Sequence, residues 1–276
     1  MTHADGTFTG AAGADIYWQS WTPEAPKAVV LLVHGLHEHS GRYAHVAARL
    51  NAAGYAVHTL DHQGHGRSAG TRGNVESLGG VSADLDHLRR LARTAHPDVP
   101  VFLLGHSMGG LVALDYVVST GQDGLRGLAV SGPAVDTSTA SGLQTMIAPV
   151  LGRFAPNLGT LTLGAENVSR DPVVVKDYES DVLNHNGKVR ARTGAEMLGA
   201  VQRVVDGLPE VTLPVLVMHG TADRLVPPAG SRLVDERIGS SDKTLKLYDG
   251  LYHEIFNEPE QEQVLDDLVA WLDAHL

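Results

Sequence analysis

Ser107 stands two positions from a glycine on either side, in Gly105-His106-Ser107-Met108-Gly109. Gly-x-Ser-x-Gly suits a strand-to-helix turn tight enough to strain the serine backbone and present its hydroxyl as a nucleophile. With 31 glycines in 276 residues, chance supplies the pattern roughly 0.2 times, so its surroundings must decide. An apolar run, Val101-Phe102-Leu103-Leu104, precedes it, and Leu111, Leu114, Tyr116, Val117 and Val118 follow as a helix-like segment. That is the strand-turn-helix context a presented nucleophile requires. No Gly-Lys pair follows, which excludes a phosphate-binding loop.

A serine hydroxyl is a poor nucleophile at neutral pH without a base, a group to orient that base, and donors for the oxyanion. The elbow hydrolases place the acid and then the histidine after the serine, each on a loop following a later strand. Two stretches fit. Asp223 follows the apolar run Val215-Leu216-Val217-Met218 and a glycine, Gly220, expected to permit a tight turn. His253 follows Leu245-Lys246-Leu247-Tyr248, where its Nε2 could take the Ser107 proton while Asp223 orients the ring. The backbone N–H of Met108 is one expected oxyanion donor and that of Leu36, after Val29 to Val33, the second, with Gly35 giving the chain freedom to turn. His34, His37 and His39 near Glu38, or His62 and His65, offer a metal site as the alternative. No spacing matches a zinc helix, so no metal and no cofactor are expected.

The elements that must hold these residues follow from the apolar pattern. Strands are expected at Asp15 to Trp21 as an antiparallel edge, and at Ala28 to Val33, Tyr55 to Leu60, Val101 to Leu104, Leu125 to Ser131, Val215 to His219 and Thr244 to Tyr248. Helices are expected around Tyr43 to Ala53, Val81 to Ala95, Gly109 to Ser119, Gly230 to Ile238 and Gln261 to Leu276. The alternation argues a mostly parallel sheet with crossover helices. The rhythm breaks between Gly132 and Pro214, an interval of 83 residues, where a crossover needs roughly 30 including its strands. An inserted helical cap over residues 134–207 is therefore expected, between a core of 1–133 and 208–276. From Thr137 to Gly164 the only charged residue is Arg153, and Leu143, Met146, Ile147, Val150, Leu151 and Phe154 share one helical face. Pro149 should kink or split that helix. The stripe either packs on the main core or lines an acyl tunnel as a lid.

Composition narrows the partners. With 21 Lys and Arg against 32 Asp and Glu the net charge is −11, which disfavours nucleic acid and anionic surfaces. The absence of cysteine rules out disulfide and thiol chemistry. No run of eighteen apolar residues occurs, and the stretch from Met1 to Gly13 has neither a basic nor an apolar segment, so cytoplasmic residence is the expectation.

Three motifs together resemble the monoacylglycerol lipases of the α/β-hydrolase superfamily: His34-Gly35-Leu36-His37-Glu38-His39-Ser40-Gly41-Arg42-Tyr43, Asp61-His62-Gln63-Gly64-His65-Gly66-Arg67-Ser68 and Gly105-His106-Ser107-Met108-Gly109. The likeness continues through Ser169-Arg170-Asp171-Pro172, Tyr178-Glu179-Ser180-Asp181, Gly220-Thr221-Ala222-Asp223-Arg224 and Tyr248-Asp249-Gly250-Leu251-Tyr252-His253-Glu254. It implies an α/β-hydrolase fold, with a mostly parallel eight-stranded sheet flanked by helices and an inserted cap. The implied activity is hydrolysis of a monoacylglycerol to glycerol and fatty acid through an acyl-enzyme. By the same resemblance His106 and Tyr178 would face the glycerol end, and Glu38 and Arg42 would brace the oxyanion loop or simply pair beside it. The cap, with Ile147 and Leu151, would engage the acyl chain, and the reading leaves room for transient membrane or lipid-droplet contact through it. A broader carboxylesterase, lysophospholipase or thioesterase is the nearest rival, followed by a cofactor-free acyltransferase or perhydrolase. Haloalkane dehalogenases and epoxide hydrolases of this fold carry aspartate at the nucleophile position, which Ser107 argues against. A binding protein derived from the fold would be expected to lack part of the set Ser107, Asp223 and His253.

Overall fold

The computed structural model describes residues 2–135 and 142–276, with side chains described from residue 147 onward in the second stretch. In chain order it comprises β1 (Thr2–Thr9), β2 (Asp15–Thr22), β3 (Ala28–Val33), α1 (Ala44–Ala52), β4 (Tyr55–Leu60), α2 (Leu78–Ala95), β5 (Val101–His106), α3 (Met108–Ser119) and β6 (Gly127–Ser131). It continues through α4 (Gly142–Phe154), β7 (Gly159–Thr162), α5 (Pro172–Ser180), β8 (Lys188–Arg190), α6 (Ala191–Gly207), β9 (Val215–Gly220), α7 (Ala229–Arg237), β10 (Lys243–Tyr248) and α8 (Gln261–Ala274). Eight strands form one sheet in the order β1-β2-β4-β3-β5-β6-β9-β10, parallel from β4 to β10 and antiparallel at β1, β2 and their junction with β4.

Strands β3, β4, β5, β6 and β9 are buried at every position. A parallel strand covered by helices on both faces can only be a continuous apolar run, which is why these strands are plain in the sequence. One layer packs α2, α3, α6 and α7 on the sheet through residues such as Leu85, Leu111, Val204 and Val234. The opposite layer uses α1 and α8, through Leu50, Leu265 and Leu268.

Two expectations are corrected. Asp15–Thr22 is not the edge, because β1 pairs with it in register from Thr2 opposite Thr22 to Thr9 opposite Asp15. Strand β1 is mostly exposed; it is held by the backbone ladder, so its sequence carries no apolar alternation to betray it. Nor does Pro149 split the cap helix, which runs unbroken from Gly142 to Phe154. Proline removes one backbone bond there, while α4 packs on α6 closely enough that a Cβ on Gly152 would lie 2.8 Å from that of Ala195.

The segment between β6 and β9 holds α4 to α6. Helix α6 belongs to the core layer through Ala200, Val201 and Val204. Its Arg203 also clamps the buried Asp115 of α3 with two bonds of 2.9 Å. Helix α3 is buried along nearly its whole length, so the helix behind Ser107 is fixed from both sides. Among the described residues no helix is long and apolar enough to cross a membrane.

Candidate active site

Ser107 joins β5 to α3 at φ 56° and ψ −121°. A non-glycine residue held there stores about 1–3 kcal/mol of strain, which the surroundings must impose. Its N–H donates to Ser131 O at 2.9 Å, and its carbonyl accepts from Leu111 at 3.1 Å and Ala134 at 3.0 Å. The flanking glycines are needed for space. A Cβ on Gly105 would lie 2.3 Å from Gly109 O, and one on Gly109 would lie 2.1 Å from Val33 O. No side chain fits at either position, so β3, β5 and α3 meet directly under the serine.

Asp223 and His253 come from separate loops and meet. Nδ1 of His253 lies 2.6 Å from Asp223 Oδ2, and since a carboxylate only accepts, Nδ1 carries the hydrogen and Nε2 keeps its lone pair. Oδ1 of Asp223 accepts from the N–H groups of Leu225 at 2.8 Å and Val226 at 2.9 Å. Gly220 and Gly35 do a different job from the expected one. Neither has a left-handed backbone; a Cβ on Gly220 would fall 2.3 Å from Leu251 O, and one on Gly35 2.8 Å from Glu38 Oε1 and 3.1 Å from Ser107 Cβ. Each lets two functional loops approach each other, where a turn was expected to be the reason.

The loop after β3 is cross-braced by buried charge. Glu38 Oε1 accepts from Gly35 N–H at 2.6 Å and Tyr43 O–H at 2.7 Å, and its Oε2 takes Arg42 Nη1 at 2.8 Å. The same guanidinium grips Glu254 bidentately at 2.6 and 2.7 Å and lies 4.7 Å from the Tyr178 ring centroid. Among the described residues neither the Leu36 N–H nor the Met108 N–H meets an acceptor. Of the histidines of the metal alternative, His34 and His39 have their ring nitrogens engaged, while Nε2 of His37, Nδ1 of His62 and Nε2 of His65 are buried without a hydrogen-bond partner among the described residues. His34 Nε2 accepts from His62 N–H at 3.0 Å, His34 Nδ1 reaches Gly35 O at 2.7 Å, and His39 pairs with Asp181 at 2.9 Å.

Ser107, His253, Leu36, His106 and Tyr178 all border one cavity of about 820 Å³. Its remaining wall is largely apolar and includes Ile147 and Leu151 of α4, Met197 and Val201 of α6, and Leu225 and Val226. The expected apolar face of α4 therefore divides. Ile147 and Leu151 border the cavity, Ile147 while still 42% exposed, and Val150 and Phe154 lie outside it and are exposed, Phe154 by 78%. Leu143 and Met146 lie outside the described side chains.

Burial alone would discharge His253, but the Asp223 carboxylate and its hydrogen bond, with Glu254 and Glu38 nearby, raise its pKa above the ordinary imidazole value. Asp223 is the converse. Burial would raise it, and the charge of His253 with donors from His219, His253 and Val226 holds it well below the usual carboxylate range. His106, whose ring centroid is 4.7 Å from that of His253, is pushed down to about 3 by burial and by that neighbour, and stays neutral. Burial and the charges of Glu254 and Glu38 raise Tyr178, so its hydroxyl keeps its proton.

Sequence reasoning passed over Glu254 and His219. Glu254 stood beside His253, but nothing along the chain ties it to Arg42 more than two hundred residues away. His219, a polar residue inside the apolar strand β9, is the one signal that could have been used, since a buried imidazole must find partners.

A protein-family model described as serine aminopeptidase, S33, matches residues 24–260. The whole chain is 43% identical to a monoacylglycerol lipase of Mycolicibacterium smegmatis, spanning 99% of that protein. It is 35% identical to the monoglyceride lipase of Homo sapiens, over 95% of this chain and 88% of the human one. A crystal structure of Paleococcus ferrophilus monoacylglycerol lipase matches with a TM-score of 0.85 and 34% identity, covering 95% of this chain and 99% of that one.

Proposed function

This chain belongs to the monoacylglycerol lipase family of the α/β-hydrolase superfamily, and from that premise we propose that it splits monoacylglycerols into glycerol and fatty acid with Ser107 as nucleophile, His253 as base and Asp223 as orienting acid. The observation that carries the reading is one cavity with two kinds of wall. A strained serine and an Asp223-paired imidazole sit at its polar end, and an aliphatic lining fills the rest. A peptide amine would call for an unpaired carboxylate. Glu38 and Glu254 border the cavity but are both already ion-paired with Arg42, so neither stands free for an amine, which favours an ester of a fatty acid over a peptide.

In this mechanism His253 Nε2 takes the Ser107 proton as Oγ attacks the ester carbonyl, and the N–H groups of Leu36 and Met108 hold the oxyanion. The bond to glycerol oxygen breaks as His253 returns the proton to it. Water, deprotonated by the same nitrogen, then attacks the acyl-enzyme and restores Ser107. No cofactor takes part. His106 and Tyr178 take the glycerol hydroxyls, and Ile147 and Leu151 the acyl chain. Residues 134–207 serve as the cap over the core of 1–133 and 208–276, with α6 as its fixed floor. The exposed residues Val150, Phe154 and Leu161 touch a membrane or lipid-droplet surface transiently, from cytoplasmic solution.

A neutral His253 is the active form, so kcat/KM falls as pH drops through its pKa. Because that pKa is raised, the acid limb lies above the value of about 6.5 of a free imidazole. In Asp223→Asn the carboxylate is gone and burial remains, so the limb of the residual activity moves to lower pH. An acid limb unmoved by this substitution would remove Asp223 from its role.

The substrate assignment is tested by kcat/KM for monooleoylglycerol, trioleoylglycerol and oleoyl-lysophosphatidylcholine under matched detergent. Monooleoylglycerol should lead. A site that hydrogen-bonds two free hydroxyls penalises analogues lacking them, and a net charge of −11 gives a phosphate little welcome. Tyr178→Phe should narrow the gap. Ile147→Ser with Leu151→Ser should weaken oleoyl esters about tenfold more than butyryl esters, since each buried CH₂ contributes about 0.8 kcal/mol. Equal hydrolysis of the lysophospholipid would overturn the substrate assignment and leave the serine hydrolase standing.

A further inference from the structure

Asp223 Oδ2 receives a second imidazole besides His253. His219, buried within β9, places Nε2 3.0 Å from Asp223 Oδ2 and 3.0 Å from Val226 O. Both partners only accept, so Nε2 carries a hydrogen shared between them. Its Nδ1 meets Ser231 Oγ, on α7, at 2.6 Å, and Ser231 is itself fully buried. The two imidazoles and the carboxylate thus form one chain that ends in a hydroxyl at Ser231 and, at the other end, in His253, which borders the same cavity as Ser107.

We propose that His219 is a positioning residue for the reaction, acting through Asp223: its Nε2–H pins the carboxylate oxygen that His253 uses and ties it to the cavity wall at Val226, with Ser231 holding the ring. The proposal rests on the reading of Ser107, His253 and Asp223 as the reacting set. Oδ1 is fixed by two backbone N–H groups, but without His219 the other oxygen would answer to His253 alone. A donor that shares Oδ2 also draws off part of its charge, moderating its pull on His253. The same imidazole connects catalysis to the acyl wall, because Leu225, Val226 and Pro227 border the cavity. A cross-link between β9 and α7 with no other role would affect stability only.

The test is the pH profile of kcat and KM for p-nitrophenyl butyrate in the wild type, His219→Phe, His219→Gln and Ser231→Ala, with active sites counted by fluorophosphonate labelling of Ser107. The charged and titratable groups facing His253, which are Asp223, Glu254, Glu38 and His106, are the same in all four. In His219→Phe kcat per labelled site should fall about tenfold or more with KM within about twofold. Its acid limb should move to higher pH, since an Asp223 with one donor fewer holds the His253 proton more tightly. His219→Gln, whose amide N–H stands in for Nε2–H, should recover most of both. Ser231→Ala should displace the limb in the same direction by less. Unchanged kcat per site and an unmoved limb in His219→Phe overturn the proposal; if that variant does not fold, the same null result in Ser231→Ala does so. A wild type that neither turns over the ester nor labels at Ser107 would instead sink the underlying reading of the site.

Discussion

Ser107→Ala, His253→Ala and Asp223→Asn each lower kcat by at least about 10³, and pairwise combinations fall little further, because the three groups act as a unit. The geometry accounts for the size of the effect. Asp223 binds Nδ1 of His253 at 2.6 Å and leaves Nε2 as the one basic nitrogen; asparagine there could stabilise the wrong tautomer. Folding should be retained in Ser107→Ala, since alanine keeps the Cβ and leaves the strained backbone as it is. Steady-state turnover of a soluble butyrate ester measures the loss. His253→Ala at near wild-type turnover would move the base elsewhere.

The second large effect is on stability. Arg42 is the one cation lying between Glu38 and Glu254 among the described residues, and all three are nearly buried. Removing one partner of a buried ion network leaves the others unpaired, at a cost of about 3–5 kcal/mol. Against a total of about 5–15 kcal/mol for a typical domain, Arg42→Met should be severely destabilised in denaturant unfolding at pH 7. The deficit should shrink as pH falls. Burial raises Glu38 even beside Arg42, and without the cation the two facing carboxylates are raised further, so protonation of one relieves the variant at a higher pH than it touches the wild type. Combining Arg42→Met with Glu254→Gln should restore part of the loss for the same reason. A stability within about 1 kcal/mol of wild type would mean that the carboxylates are not held by charge. Because Glu38 also receives the Gly35 N–H, residual activity should suffer beyond the loss of folded protein.

What could be read along the chain has a common cause. Ser107 and Asp223 each follow a strand buried on both faces, and such strands are continuous apolar runs, whereas His253 follows the partly exposed edge strand β10, marked only by its Leu245, Leu247 and Tyr248. Their order then assigned the roles. The edge strand β1 and the small sheet of β7 and β8 escaped because exposed strands are held by backbone bonds, which leave no trace in side-chain period. The cap helix was legible as an apolar face, but which half of it borders the cavity depends on where α6 lies, and Ile147 and Phe154 part company for that reason. The glycines were found and their purpose misread. Gly35 and Gly220 are set by chain segments distant in sequence, His106 and Ser107 for one and Leu251 and Tyr252 for the other. The Arg42–Glu254 contact is likewise a product of the sheet order, which brings the loops after β3, β5, β6, β9 and β10 to one end of the sheet, whereas His219 meets Asp223 locally, four residues on, once β9 ends in a turn.

The central claim, an acyl-enzyme on Ser107 in the turnover of a monoacylglycerol, is tested most directly by titrating the protein with a serine-directed fluorophosphonate while following monooleoylglycerol hydrolysis and mapping the adduct by peptide mass spectrometry. The account predicts a single adduct on Ser107, with activity falling in proportion to occupancy and reaching zero at one label per chain. Full activity in protein labelled stoichiometrically at Ser107, or inactivation by a label on another residue with Ser107 untouched, would contradict it.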